Sequence, residues 1–64
     1  MDEFKLTIQL DNAAFEDAPH IEVVRILRQL ANRIEDSNFF DAGNDYPLYD
    51  YNGNETGHAG VHSN

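Results

Sequence analysis

An amphipathic helix is the feature that most constrains what this chain can fold into. Residues 19–36, PHIEVVRILRQLANRIED, contain no glycine and no proline after the first position. Apolar side chains recur there at intervals of three and four residues, the spacing of one helix face. This apolar stripe consists of Val23, Ile26, Leu27, Leu30, Ala31 and Ile34. Pro19 suits the first helical turn, where its missing N–H needs no partner. The pattern predicts a helix over residues 19–36 whose stripe the rest of the chain must cover.

A strand is predicted over residues 3–10, EFKLTIQL, because apolar and polar side chains alternate there. Phe4, Leu6, Ile8 and Leu10 point to one side of such a strand. Four large apolar side chains match the length of the helical stripe. We therefore expect this face of the strand to pack against the helix.

Residues 46–62, YPLYDYNGNETGHAGVH, are predicted to form a hairpin around Asn52-Gly53, the preferred pair of a two-residue type I′ turn. That turn would place Tyr51 opposite Asn54, Asp50 opposite Glu55, Tyr49 opposite Thr56 and Leu48 opposite Gly57. Leu48, Ala59 and Val61 then share the buried face, and Tyr49, Tyr51, Thr56 and His58 the other. Gly57 and Gly60 weaken the last strand and are candidates for a bulge that shifts this register.

Between helix and hairpin, Phe39 and Phe40 favour a turn that buries one ring, with a short strand as the alternative. Together the elements predict an α+β fold: β-α-β-β, a three-stranded, antiparallel-rich sheet with one amphipathic helix packed on one face. Residues 1–64 are expected to form a single small domain. A chain of 64 residues buries only about 60% of its unfolded surface, so the core should be thin.

Charge separates the helix from the rest of the chain. Twelve acidic and four basic residues give a formal net charge of −8. Residues 19–36 contain three arginines and three acids and are neutral, so the whole excess lies in the other segments. Direct nucleic-acid binding, which requires clustered Lys and Arg, is disfavoured, and a basic protein partner is favoured.

Several classes of function are disfavoured by the residues present. The chain has no cysteine for a disulfide or a thiolate zinc site. His58 and His62 have the spacing of a helical zinc pair, but in a strand they would stand roughly 13 Å apart. No nucleophile elbow and no glycine-rich phosphate loop occurs. We therefore expect no enzyme activity, metal site or cofactor. With no apolar run long enough for a membrane span and no secretory leader, the cytoplasm of whatever cell makes the protein is the expected location.

The remaining signal is an acidic surface interleaved with tyrosines. Each acid alone is explained by solvation, but carboxylates on a small rigid frame can imitate phosphates and occupy an Arg/Lys groove that normally holds nucleic acid. Tyrosines between them supply contact area and hydrogen bonds. The candidate partner-binding residues are Asp11, Glu16, Asp17, Asp45, Tyr49, Asp50, Tyr51 and Glu55.

A second hypothesis is an ordinary protein–protein interaction module, such as an antitoxin-like or regulatory subunit. Ile21 and Val24 lie off the main stripe of the helix and could form an apolar patch, unless they pack under the connector that holds Phe15. The open edge of the sheet is an alternative binding surface. Both hypotheses are compatible with a monomer or a homodimer.

Three segments in succession carry a family resemblance: LDNAAFED, the helix EVVRILRQLANRIED and the closing LYDYNGNETG hairpin. The chain resembles small acidic proteins encoded by phages and prophages, of the anti-CRISPR type. The likeness covers residues 4–61. It implies an inhibitor that acts in the cytoplasm of the bacterial host cell, binds a Cas subunit or complex and blocks its DNA site. It transfers no functional residue to this sequence, so the candidate residues are those indicated by charge and expected exposure.

Overall fold

The computed structural model describes residues 2–37 and 43–63. Strand β1 spans Asp2–Ile8, a 3-10 turn spans Ala13–Phe15, and helix α1 spans Pro19–Ser37. Strand β2 spans Asp45–Tyr49 and strand β3 spans Glu55–Ser63. The predicted order β-α-β-β and the α+β class are confirmed. The boundaries of β1 and α1 lie within two residues of the predicted ones. The turn expected at Phe39 and Phe40 lies outside the described residues.

The three strands form one antiparallel sheet in the order β1-β3-β2. In the β1–β3 register Phe4 pairs with Val61, Leu6 with Ala59 and Ile8 with Gly57. Directly opposed residues share a face, so one face collects the apolar side chains of all three strands. Helix α1 packs on that face.

The hairpin register differs from the predicted one at its tip. Leu48 does pair with Gly57, but an irregularity between Leu48 and Tyr49 brings Tyr49 opposite Glu55 instead of Thr56. Asp50 N donates to Asn54 O at 2.9 Å, and Gly53 N donates to Asp50 O at 3.0 Å. The bonded pair Asp50 and Asn54 therefore closes a loop of three residues, 51–53. Gly53 has φ +86°, so it supplies the left-handed conformation of a three-residue loop with a bulge. The predicted two-residue turn is therefore wrong.

The core lies between α1, the 3-10 turn and the central part of the sheet. Its buried members come from every element except β1: Ala14, Phe15, Ile26, Leu30, Leu48 and Ala59. Val61 is also buried, and the predicted contribution of Leu48, Ala59 and Val61 to the core is confirmed. Ile8, Val23 and Ile34 pack against this cluster from its sides.

The helix is rotated about its axis relative to the predicted stripe. Leu27 is 40% exposed and Ala31 is also exposed, although both were expected to face the core. The opposite flank of the helix faces the fold instead: Glu22 is buried there, and two arginines reach β2. Arg25 Nη2 donates to Tyr49 O at 3.2 Å, and Arg33 Nη1 donates to Pro47 O at 3.4 Å. These contacts hold that flank of α1 against β2.

Strand β1 is consequently less well covered than its alternation predicts. Ile8 packs on the core, but Phe4 and Leu6 are each more than a third exposed, and Leu10 lies beyond the end of the strand and is half exposed. One helix of 19 residues cannot cover a three-stranded sheet once it is drawn to one edge. The expectation that the whole apolar face of β1 packs against the helix is wrong for these three residues.

The edge formed by β2 is protected against pairing with another strand. Pro47 has no N–H to donate, and the carbonyl oxygens of Pro47 and Tyr49 already accept bonds from Arg33 and Arg25. The Arg33 guanidinium also lies 5.8 Å from the centre of the Tyr46 ring. The helical arginines therefore serve two structural roles, since they both dock α1 and close one edge of the sheet.

Candidate partner-binding surface

The connector between β1 and α1 meets the hairpin tip at one end of the molecule. Gln9 N donates to Thr56 O at 2.7 Å, and Thr56 Oγ1 donates to Gln9 O at 2.6 Å. Asn12 Nδ2 donates to Asp50 Oδ2 at 2.9 Å. Thr56, expected on the exposed face with Tyr49, is buried because it makes this junction. Segments separated by about forty residues in the sequence are thereby held together.

This junction collects most of the predicted partner-binding residues. We call the set the acidic end: Asp11, Glu16, Asp17, Tyr49, Tyr51 and Glu55. All six are exposed, and Tyr51 is 63% exposed. Asp11 adjoins Asn12, Glu16 and Asp17 link the 3-10 turn to α1, and Glu55 lies opposite Tyr49.

Asp45 lies elsewhere. It begins β2 and pairs with Gly60, four residues along the strand from Tyr49 or roughly 13 Å away. Its Oδ1 is 3.8 Å from His62 Nε2. Asp45 is exposed but does not belong to the acidic end.

Asp50 is buried, at 4% exposure, and it builds the hairpin loop. Its Oδ1 accepts bonds from the backbone N–H groups of Asn52 and Asn54, each at 2.9 Å, while Asn12 binds its other oxygen. Burial alone would raise the pKa of Asp50, but these hydrogen bonds together hold the pKa below its ordinary value. The expectation that Asp50 is an exposed carboxylate opposite Glu55 is therefore wrong, because the three-residue loop turns it inward as a turn-forming aspartate.

Glu22 is the residue of this region that sequence reasoning missed. It is 5% exposed, and Arg25 binds it in bidentate fashion, with both N–O distances at 2.8 Å. Its Oε2 also accepts a bond from Tyr51 N at 2.8 Å. The hydrogen bonds from Arg25 lower the pKa of Glu22, and bonding to Glu22 raises the pKa of Arg25. The available signal was spacing: Glu22 lies four residues before Ile26, in line with the buried face, and three before Arg25.

The network thus links helix, hairpin tip and connector through two buried carboxylates. Glu22 fixes Tyr51 to α1, and Asp50 fixes the connector to the loop. These contacts orient the backbone that presents Tyr51 and its acidic neighbours. The acidic end is therefore a structured surface.

Glu22 and Asp50 should make stability fall in acid. Because both pKa values are lower in the folded chain, the unfolded chain takes up protons first as the pH falls. Their contribution is complete above the ordinary carboxyl range and is lost below about pH 4 to 5 as the folded pKa values are approached. We expect the urea midpoint to decline below about pH 5. A Glu22→Gln/Asp50→Asn variant with the same decline as the parent would contradict this.

The described residues, 2–37 and 43–63, contain neither a side-chain cluster suited to a metal ion nor a helix suited to a membrane. No three His, Asp or Glu side chains there are grouped closely enough to hold a metal ion, and His58 and His62 lie in β3. In the same described residues, no helix combines the length and the apolar character needed to cross a membrane.

Comparison with known proteins identified no relative. No protein-family model matches the chain, and neither a curated protein nor a solved structure shows significant similarity to it.

Proposed function

We propose that this protein is a non-enzymatic inhibitor that binds a basic, nucleic-acid-binding protein through the acidic end. The supporting observation is that hydrogen bonds join the connector, which carries three of the four exposed carboxylates, to the hairpin tip, which carries the fourth and both exposed tyrosines. The four acids are Asp11, Glu16, Asp17 and Glu55. Arg25, which reaches the hairpin tip through Tyr49 O, is already paired with Glu22.

Such a surface competes with nucleic acid for a groove lined by Arg and Lys. Carboxylates accept the same charge-assisted hydrogen bonds as phosphate oxygens, and exposed tyrosines add stacking area. A rigid frame reduces the entropy lost on binding. The resemblance to anti-CRISPR proteins makes a Cas subunit of a bacterial defence complex the partner to examine first.

Two triple charge reversals with equal net charge test this proposal. The first changes Glu16, Asp17 and Glu55 to lysine, and the control changes Glu35, Asp36 and Asp45, which are exposed but lie outside the acidic end. Each adds six units to the net charge of −8, leaving −2. In pull-downs from host lysate with identified partners, we expect the parent and the control to retain a nucleic-acid-binding protein. The first triple should no longer capture this partner. Added DNA should displace the partner from the parent protein and from the control.

Equal capture by both triples would refute binding through the acidic end. Capture that persists at high salt would count against it as well, because exposed charge pairs are screened within about 8 Å at physiological ionic strength.

An interaction module that binds through apolar surface is the second candidate. Ile21 is 62% exposed and Val24 is also exposed, so neither packs under the connector. Leu27 continues this exposed surface along α1. A complex retained at high salt and weakened by Val24→Ser or Leu27→Ser would favour this candidate.

A further inference from the structure

A groove of about 250 Å³ opens within the acidic end, between the start of α1, the 3-10 turn and the hairpin tip. Its walls are apolar and come from Ala13, Ala14, Ala18 and Ile21. Tyr51 also lines the groove, and Asp17 and Glu22 are its acidic residues. Ala13 and Ala14 in the 3-10 turn and Ala18 just before α1 have small side chains, which leave this space open.

The charge around the groove is negative. Asp17 is exposed, and Glu22 is bound by Arg25. Asp50 is close enough for its charge to contribute to the pKa of both Glu22 and Arg25. The donors to Asp50 are uncharged. These three carboxylates and the one guanidinium sum to two negative charges. The N-terminus of α1 carries a partial positive charge that offsets about half of one of them. The groove therefore favours a cation.

We propose that the groove accepts one arginine side chain of the partner protein, an inference that rests on the proposed function of the acidic end. The aliphatic stem would lie against the alanine methyl groups, as such stems do on apolar surface. The guanidinium would stack on Tyr51 and pair with Asp17, which suits a planar fork of donors better than the compact ammonium of lysine. The adjacent Arg25–Glu22 pair shows the same bidentate geometry within this chain.

The test uses the intact ¹⁵N-labelled protein and N-acetyl-arginine amide as the probe. We expect saturable NMR shifts of the backbone amides of Ala13, Ala18, Ile21 and Tyr51, with those of Asp45 and Gly60 unchanged. The citrulline analogue, which has the same shape without the charge, should produce no such shifts. The lysine analogue should bind about fivefold more weakly, because it stacks less well on the ring. Equal shifts with citrulline, or shifts spread over the whole surface, would overturn the inference.

Matched variants separate the groove from general charge. Asp17→Asn and Tyr51→Ala should each weaken arginine binding about fivefold, a loss of about 1 kcal/mol. Glu35→Gln, which removes an exposed charge of the same helix outside the acidic end, should leave it unchanged. Tyr51→Ala keeps the backbone N–H that binds Glu22. If Glu35→Gln weakens arginine binding as much as the two groove variants, the groove is not the site.

The two proposals fail in different ways. If the arginine probe does not bind while the two charge-reversal triples still differ in partner capture, the groove inference is wrong and the acidic end remains the partner surface. If the probe binds in the groove but both triples capture equally, the proposed function is wrong and the arginine site stands alone.

Discussion

Replacing Glu22 with glutamine is expected to lower the free energy of unfolding by about 2 kcal/mol, the range for charge-assisted hydrogen bonds at buried sites. Glu22 is buried and accepts two bonds from Arg25 and one from Tyr51 N. Glutamine keeps the shape but has a single acceptor oxygen, and it presents an N–H₂ group to a donor. The hairpin tip then loses its charged anchor on α1.

Urea unfolding at pH 7 measures this change, with Glu35→Gln as the control. Glu35 is an exposed glutamate on the same helix, so its replacement should alter stability by less than about 0.5 kcal/mol. Amide exchange of Tyr51 should also accelerate in Glu22→Gln, because its N–H loses a carboxylate acceptor. If the two variants are equally stable, Glu22 does not hold the tip.

Gly57→Ala is expected to destabilise the fold by about 2 to 3 kcal/mol through overpacking. A Cβ atom at Gly57 would lie 1.9 Å from Thr7 O and 2.9 Å from Ile8 Cα. Both atoms belong to the backbone of β1, so no side-chain rotation can relieve the clash, and β1 must move away from β3. Gly57 therefore permits β1 and β3 to approach each other closely. From the sequence alone, this glycine is predicted to weaken β3.

Gly53→Ala is the matched comparison. Its Cβ would meet no atom within 4 Å, so only the left-handed backbone at φ +86° is penalised, by about 1 kcal/mol. We expect the urea midpoint to be highest for the parent, lower for Gly53→Ala and lowest for Gly57→Ala. A Gly57→Ala variant as stable as Gly53→Ala would show that β1 adjusts to the added methyl group without loss.

The functional proposals depend on a different property, the position of charge. Asp17 and Tyr51 are 34 residues apart in the sequence but line one groove, whereas Asp45 and Tyr49 share β2 and lie apart. The two charge-reversal triples have the same net charge and differ in where the reversed charges lie. They therefore test the tertiary arrangement directly.

Local pattern by itself determined the class and order of the elements. The period of 3.6 in α1 and the period of 2 in β1 are properties of neighbouring residues, so they are readable without knowledge of the fold. The period of 2 also puts Ala59 and Val61 on one face of β3, and the predicted pairing of Leu48 with Gly57 adds Leu48 to that face. Asn52-Gly53 likewise located the hairpin, although it did not determine the loop length.

Only the tertiary structure decided which of these side chains are covered and which acids meet. Helix α1 is held against β2 by bonds from Arg25 and Arg33, and Leu27 and Phe4 are each about 40% exposed. One additional residue in the loop turns Asp50 inward and moves Tyr49 opposite Glu55. Each outcome depends on contacts between segments far apart in the chain. Sequence periodicity reports which way a side chain points within its own element, whereas burial depends on what the rest of the fold places against it.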